Sequence, residues 1–232
     1  SMVFNTALVG SNVGPNNWIV NNLYNGQGIY PNTPPQDSIV SGTINGAPNS
    51  KYLHIRDAAQ PNGAINANWN NNAASDRFAY IGQEFCTLGM TDVKFTFFWI
   101  CEGDSANGAY GELYARINGG AWQQVGQPKY YGQKKWKYEV VQNPLFNNAE
   151  NVQLGFRWVN ASSVITSGIS FGIDDIIAVG TYQNTGPNAA TVGINLVSPT
   201  TICQDNFLTI GYNLSKPLCD GTYRIQLSDA NG

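Results

Sequence analysis

Charged side chains are scarce in this chain of 232 residues. They make up 12% of the residues, and the formal net charge is -3 with only 12 lysines and arginines. Apart from the adjacent Lys134 and Lys135, these cations are scattered along the chain. Because a nucleic-acid surface needs clustered cations that follow the phosphates, we expect no nucleic-acid partner.

Long apolar runs are also missing. No stretch approaches the roughly 20 apolar residues that a membrane-spanning helix needs, and the start of the chain has neither a charged segment nor a long apolar core. These two features favour a mature, soluble chain without membrane insertion.

The sequence lacks the side-chain sets of common enzymes. The only histidine, His54, alternates with Leu53 and Ile55, so we expect it on the polar face of a strand as a hydrogen-bonded surface or rim residue. Residues 168–172 match the pattern GxSxG, but an apolar strand follows them where a nucleophile elbow needs a helix. No glycine-rich phosphate loop, HExxH motif or redox CxxC is present. We therefore expect no enzyme.

Four cysteines come as two local pairs, Cys86 with Cys101 and Cys203 with Cys219. Zinc sites usually show tighter pairs, so the spacing favours two disulfides, each of which would close a loop of about 15 residues and contribute roughly 3 kcal/mol. Disulfides in turn favour an oxidising compartment. The alternative is a set of four reduced cysteines buried in a core.

Apolar residues make up 42% of the chain and aromatic residues 12%, which is enough to bury a core. Their pattern has a period of two at residues 51–56 and 153–159, and residues 93–101 form a nearly continuous apolar run. Both patterns are typical of strands. Many Asn-Gly turns separate the strands, so the sequence predicts an all-β fold, a sandwich or jelly roll.

The sharpest local signal is a hairpin at residues 110–125. Two alternating arms are joined through Asn118, Gly119 and Gly120, and this turn chemistry suits residues with positive φ.

A domain boundary is expected after Gly180. Residues 181–191 are polar and turn-rich, and they precede three strand candidates at 194–197, 207–214 and 222–227. Three strands are too few for an immunoglobulin-like sandwich, which has about seven. The predicted organisation is a jelly-roll β-sandwich at 3–180, a linker at 181–191 and a truncated immunoglobulin-like domain at 192–232, in a protein that continues further.

Much of the first domain resembles a MAM domain, an extracellular jelly-roll module of adhesive receptors. The resemblance rests on residues 95–100 (Phe-Thr-Phe-Phe-Trp-Ile), 110–114 (Tyr-Gly-Glu-Leu-Tyr), 132–136 (Gly-Gln-Lys-Lys-Trp) and 171–176 (Phe-Gly-Ile-Asp-Asp-Ile), which occur in the same order. Residues 17–22 (Asn-Trp-Ile-Val-Asn-Asn) and 52–55 (Tyr-Leu-His-Ile) also resemble MAM-like modules in large secreted surface proteins of gliding bacteria, where immunoglobulin-like repeats follow. Residues 197–203 resemble the start of one of those repeats. This resemblance implies a secreted or cell-surface location.

Asp174 and Asp175 are adjacent on a predicted strand, so their side chains are expected on opposite faces and cannot form the carboxylate pair of a glycosidase. One of them would then lie near a buried face, where a cation could offset the cost of burial. The resemblance to jelly-roll carbohydrate-binding modules makes that cation a structural calcium. The equally favoured alternative is that both aspartates accept backbone hydrogen bonds.

Several aromatic residues lie in polar, turn-rich segments, where exposed rings could stack on sugars beside Asn and Gln amides. These candidate ligand-binding residues are Trp69, Trp122, Tyr130, Tyr131 and Trp136. The alternative for each is core packing, which we assign to Trp99 and Trp158 because they lie inside apolar strands. The expected function is an adhesion or carbohydrate-binding module whose partner is a polysaccharide or surface glycan. The alternative is a structural spacer, or an accessory domain of a secreted hydrolase, that contacts neighbouring domains of its own chain.

Overall fold

The structure of the protein is a computed structural model that describes residues 2–4, 12–22, 36, 38–58, 67–162, 168–182, 191–198, 207, 209–215 and 219. Regular structure within these ranges is β-strand, apart from one 3₁₀ turn at Pro144–Phe146. The predicted all-β class is confirmed. No helix in the described part of the chain is long and apolar enough to cross a membrane.

Ten strands form two five-stranded antiparallel sheets. The first sheet has the order β1 (Met2–Phe4), β4 (Ser75–Ile81), β9 (Val152–Asn160), β6 (Ala109–Ile117) and β7 (Trp122–Tyr130). The second has the order β2 (Asn16–Asn21), β3 (Tyr52–Asp57), β10 (Gly172–Tyr182), β5 (Met90–Cys101) and β8 (Gln133–Gln142).

The two sheets enclose the main core. Leu113 and Phe156 of the first sheet belong to the same buried cluster as Phe95, Phe97 and Trp99 of the second. Burial of such side chains, at roughly 1.5 to 3 kcal/mol each, is the main force that holds the sandwich together.

A smaller cluster covers the outer side of the second sheet. Phe98 and Ile100 of β5 pack there with Trp136 of β8 and with Ile44 of the segment at 38–50. Both faces of β5 are therefore buried, which explains why residues 93–101 are apolar without alternation.

The predicted hairpin is confirmed. Strands β6 and β7 pair antiparallel, with Arg116 opposite Trp122. Asn118 and Gly119 have φ values of 49° and 69°, and Gly120 donates its backbone N–H to the carbonyl of Ile117. Two consecutive positive φ values give the tight turn the twist that the flanking strands require.

Two further strands lie beyond the sandwich strands in sequence. Strand β11 (Val192–Ser198) pairs antiparallel with β12 (Thr209–Leu214), in agreement with two of the three strands predicted there. The third, at 222–227, lies outside the described residues. The immunoglobulin-like assignment and the domain bounds stay predictions.

The predicted cysteine pairing is wrong, because Cys86 is bonded to Cys219. Cys101 is a buried free thiol, and Cys203 lies outside the described residues. Cys101 is the last residue of the 12-residue strand β5, which begins four positions after Cys86. An extended strand of that length spans about 37 Å, whereas the Cα atoms of a disulfide must lie within about 7 Å.

Candidate functional site

Trp69 is buried, contrary to the expectation of an exposed loop indole. Its side chain is 2% exposed and packs 5.2 Å from the ring of Trp158 in the main core. The polar neighbours of Trp69 do not indicate exposure, because a side chain of strand β2 forms hydrogen bonds with the backbone beside Trp69. Asn16 accepts the N–H of Asn70 at 2.6 Å and donates to the carbonyl of Asn70 at 2.9 Å.

Tyr130 and Trp136 are also fully buried. Tyr130 stacks on Phe171 at 5.2 Å in the main core. Trp136 packs edge-on against Tyr52 at 5.2 Å, beneath the segment at 38–50. Neither ring is accessible to a sugar. Tyr131 is the exposed member of the predicted set, with 46% of its surface accessible.

Trp122 is half-buried on the outer side of the first sheet. Its ring lies 4.9 Å from that of Phe78 and 5.5 Å from that of Tyr80, and the guanidinium of Arg116 lies 5.0 Å from its centroid. Tyr114 adds an edge-on contact to Phe78 at 6.0 Å. We call Phe78, Tyr80, Tyr114, Arg116 and Trp122 the aromatic face.

A glycine makes room for this face. Tyr80 and Tyr114 are both opposite Gly155 of the central strand β9, and a Cβ there would overlap the ring of Phe78. Phe78 is fully buried although it points away from the main core. The half-buried rings of Tyr80, Tyr114 and Trp122 pack against it.

Arg157 lies beside the aromatic face and is fully paired with carboxylates. Its Nε and Nη2 donate to the two oxygens of Asp76 at 2.8 and 2.6 Å, and its Nη1 donates to Glu112 at 3.1 Å. The hydroxyl of Tyr114 donates to the same Glu112 oxygen at 2.9 Å. The hydrogen bonds to Asp76 raise the pKa of Arg157 above its ordinary value. Beside the aromatic face, therefore, two anions surround one cation.

Arg116 has a different environment. Its Nε donates to Oε1 of Gln153 at 3.0 Å, and its Nη2 donates to the same oxygen. Gln153 is itself held by its donation to the carbonyl of Ile81 at 3.3 Å. Arg116 therefore has a fixed position against the rings of Tyr80 and Trp122 without a carboxylate partner in the described part of the chain.

Asp174 and Asp175 do not point to opposite faces, because a β-bulge interrupts the strand. Asp174 and Ile177 are three positions apart, whereas their partners Phe98 and Thr96 on β5 are two positions apart, and Asp175 has a φ of 55°. Both carboxylates are hydrogen-bonded by residues that precede β3: Asp174 accepts from Gln36 and Ser50 at 2.6 and 2.7 Å, and Asp175 accepts the N–H of Asn45 at 2.9 Å.

Asp174 also accepts the backbone N–H of Asp175 at 2.8 Å, so the hydrogen bonds agree with the alternative in which both aspartates accept backbone hydrogen bonds. The described residues contain no cluster of three or more His, Cys, Asp or Glu side chains that could hold a metal. Burial raises the pKa of Asp174 to about 6. Calcium binding stays a prediction.

His54 is hydrogen-bonded as expected but fully buried, not at the surface. Its Nδ1 lies 2.9 Å from the carbonyl of Ile55, and its Nε2 lies 3.0 Å from Oδ1 of Asn21. Burial lowers its pKa to about 4. Ser170, the serine of the GxSxG pattern, donates to the carbonyl of Ile55 at 2.8 Å and is also fully buried, so its hydroxyl links strand β3 to the segment that leads into β10.

The sequence reasoning found Trp122 but missed the rest of the aromatic face. A usable signal was present, since Tyr110, Glu112, Tyr114 and Arg116 alternate along one arm of the hairpin and must share one side of the sheet. The fold and this face define the protein as an antiparallel β-sandwich with an aromatic outer surface. A scan against models of known protein families finds no match, and no curated protein matches the sequence.

Proposed function

We propose that this protein is a non-catalytic carbohydrate-binding or adhesive module of a secreted or cell-surface protein, and that it binds a glycan on the aromatic face. The observation that carries the proposal is the cluster of half-buried rings around Trp122 beside fixed polar groups. An aromatic ring offers a flat apolar surface, and nearby amide and guanidinium groups offer hydrogen bonds.

The position of the cluster also supports binding. Trp122 lies on β7, which pairs with β6, and Tyr114 lies on β6, which pairs with both β7 and β9. This pairing fixes the register of both strands. Sites on strands keep their geometry better than sites on loops, so less entropy is lost when a ligand orders them.

A structural spacer is the second candidate, and the burial of the other tryptophans favours it. Trp18, Trp69, Trp99, Trp136 and Trp158 are all at most 3% exposed, which leaves Trp122 alone of the six with substantial accessible surface. In that case the aromatic face would only stabilise the outer side of the sheet.

Replacement of Trp122 separates the two candidates. Trp122→Ala should abolish retention of the protein in glycan affinity gels and on glycan arrays, and should lower the free energy of unfolding by about 1 to 2 kcal/mol because the ring is half-buried. Trp158→Ala, a core control, should cost about 3 to 5 kcal/mol.

Tyr131→Ala is the matched control for an exposed ring outside the aromatic face, and it should bind like the original protein. If the original protein is not retained by any glycan tested, the spacer function replaces the binding function.

A further inference from the structure

The two arginines on the outer side of the first sheet differ in their pairing. Arg157 has Asp76 and Glu112 around its guanidinium, so an approaching anion would meet two carboxylates of the protein. Arg116 has a neutral amide as its hydrogen-bond partner. The positive charge of Arg116 is therefore the one on the aromatic face that a ligand can use.

The remaining donors of Arg116 have the geometry that a carboxylate needs. A guanidinium has five N–H groups, and Gln153 takes one from Nε and one from Nη2. Both N–H groups of Nη1 and the second of Nη2 are left without an acceptor in the described ranges. The pair of outward N–H groups on Nη1 and Nη2 can donate to the two oxygens of one carboxylate.

The setting of Arg116 strengthens such a contact. The side chain is half-buried, its guanidinium is 5.0 and 5.7 Å from the ring centroids of Trp122 and Tyr80, and Gln153 holds its inner edge. A cation held in this way loses little freedom on binding, and partial burial weakens the screening by water. The chain as a whole has a net charge of -3, so the attraction is local and does not come from the overall field.

We propose that the glycan bound by the aromatic face is acidic, and that Arg116 pairs end-on with the carboxylate of a uronic acid unit. This inference rests on the proposed glycan-binding function and names its ligand class. The apolar side of the sugar ring contacts Trp122 and Tyr80, while its carboxylate accepts from Nη1 and Nη2 of Arg116. An acidic peptide would supply the charge without a saturated ring to stack, so we favour the sugar.

The test compares each acidic oligosaccharide with its own methyl ester, which keeps the ring and its shape but removes the charge. Oligomers of galacturonic, glucuronic and mannuronic acid serve as probes, and calorimetry measures their affinity for the full chain. At least one acid should bind about ten-fold or more tightly than its ester, since a charge-assisted bidentate contact is lost in the ester. Its affinity should fall as salt is added, while that of the ester should not.

Variants assign the effect to one side chain. Arg116→Gln should remove the preference for the acid, measured as the ratio of the affinities for the acid and its ester, whereas Arg116→Lys should keep part of that preference because the charge remains. Lys129→Gln is the control, since Lys129 lies 4.1 Å from the centroid of Tyr110 on another part of the same sheet. That variant should behave like the original protein, and circular dichroism shows whether each variant is folded.

The outcomes separate this inference from the function on which it rests. Equal binding of every acid and its ester, or binding of neutral glycans alone, overturns the acidic class and leaves the glycan-binding function standing. Failure of all acidic and neutral glycans to bind overturns both. Tight binding of an oligoglutamate peptide without binding of any uronic acid oligomer overturns the choice of a sugar.

Discussion

Cys86 and Cys219 form a disulfide between positions 133 residues apart, with 5.6 Å between their Cα atoms. Cys86 lies between β4 and β5 of the sandwich, and Cys219 follows β12. The backbone N–H of Leu88 also points to the sulfur of Cys219 at 3.2 Å. Closing a loop of this length lowers the entropy of the unfolded chain more than a local pairing would. The folded state is therefore stabilised by about 5 kcal/mol, compared with roughly 3 kcal/mol for a local pair.

Peptide mapping without reduction should therefore recover Cys86 linked to Cys219. Cys101 should be recovered as a free thiol that reacts with alkylating reagents only after unfolding, because it is fully buried and burial raises its pKa to about 12. The double variant Cys86→Ser with Cys219→Ser should lose about 3 to 5 kcal/mol of unfolding free energy in urea titrations. A peptide that links Cys86 to Cys101 would contradict the structure.

His54 and Asp174 make opposite contributions to the pH dependence of stability. The pKa of His54 falls from 6.5 to about 4 on folding, so its contribution is present above pH 6.5 and is lost as the pH falls towards 4. The pKa of Asp174 rises from 3.8 to about 6, so its contribution is present below pH 3.8 and is lost as the pH rises through 6. Between pH 4 and 6 the two effects oppose each other.

Single variants should expose each effect. In Asp174→Asn, the free energy of unfolding should rise steeply from pH 4 to 6.5, by as much as about 3 kcal/mol, because the fully buried His54 then acts unopposed. In His54→Gln, the slope between pH 4 and 6 should have the opposite sign. Urea unfolding at several pH values measures both, and identical slopes in the two variants would refute this assignment.

Calcium binding at Asp174 or Asp175 predicts a specific thermal response. Calcium should raise the melting temperature of the protein and a chelator should lower it, because an ion that binds only the folded state stabilises it. Asp175→Asn should abolish that response while keeping the side-chain oxygen that accepts from Asn45. A melting temperature indifferent to both calcium and chelator would leave the hydrogen bonds as the sole partners of the two aspartates.

The features that the sequence predicted are those with local causes. The hairpin follows from Asn118 and Gly119 alone, since both tolerate positive φ and the arms on either side alternate. Trp99 and Trp158 are buried as expected because each lies within an apolar strand pattern.

The features that escaped prediction depend on residues far apart in the chain. Trp69 is buried because Asn16, 54 positions away from Asn70, satisfies the backbone of its loop. The bulge at Asp175 breaks the strict alternation on which the assignment of its face relied. The ring cluster around Trp122 needs Gly155 on a strand that follows it by some 30 residues, and no local pattern indicates that pairing.

The disulfide also determines how tension would travel through the chain. A pull between the start of the chain and a point beyond Cys219 passes through the bond from Cys86 to Cys219, so the backbone of the 133-residue span between them lies outside the covalent path of the load. Strands β6, β7 and β9, which carry Tyr114, Trp122 and Arg157, lie inside this span. Reduction of the bond would put the span under load and allow the chain to lengthen by roughly 450 Å, which makes the redox state of one bond the control of how far this protein can be stretched.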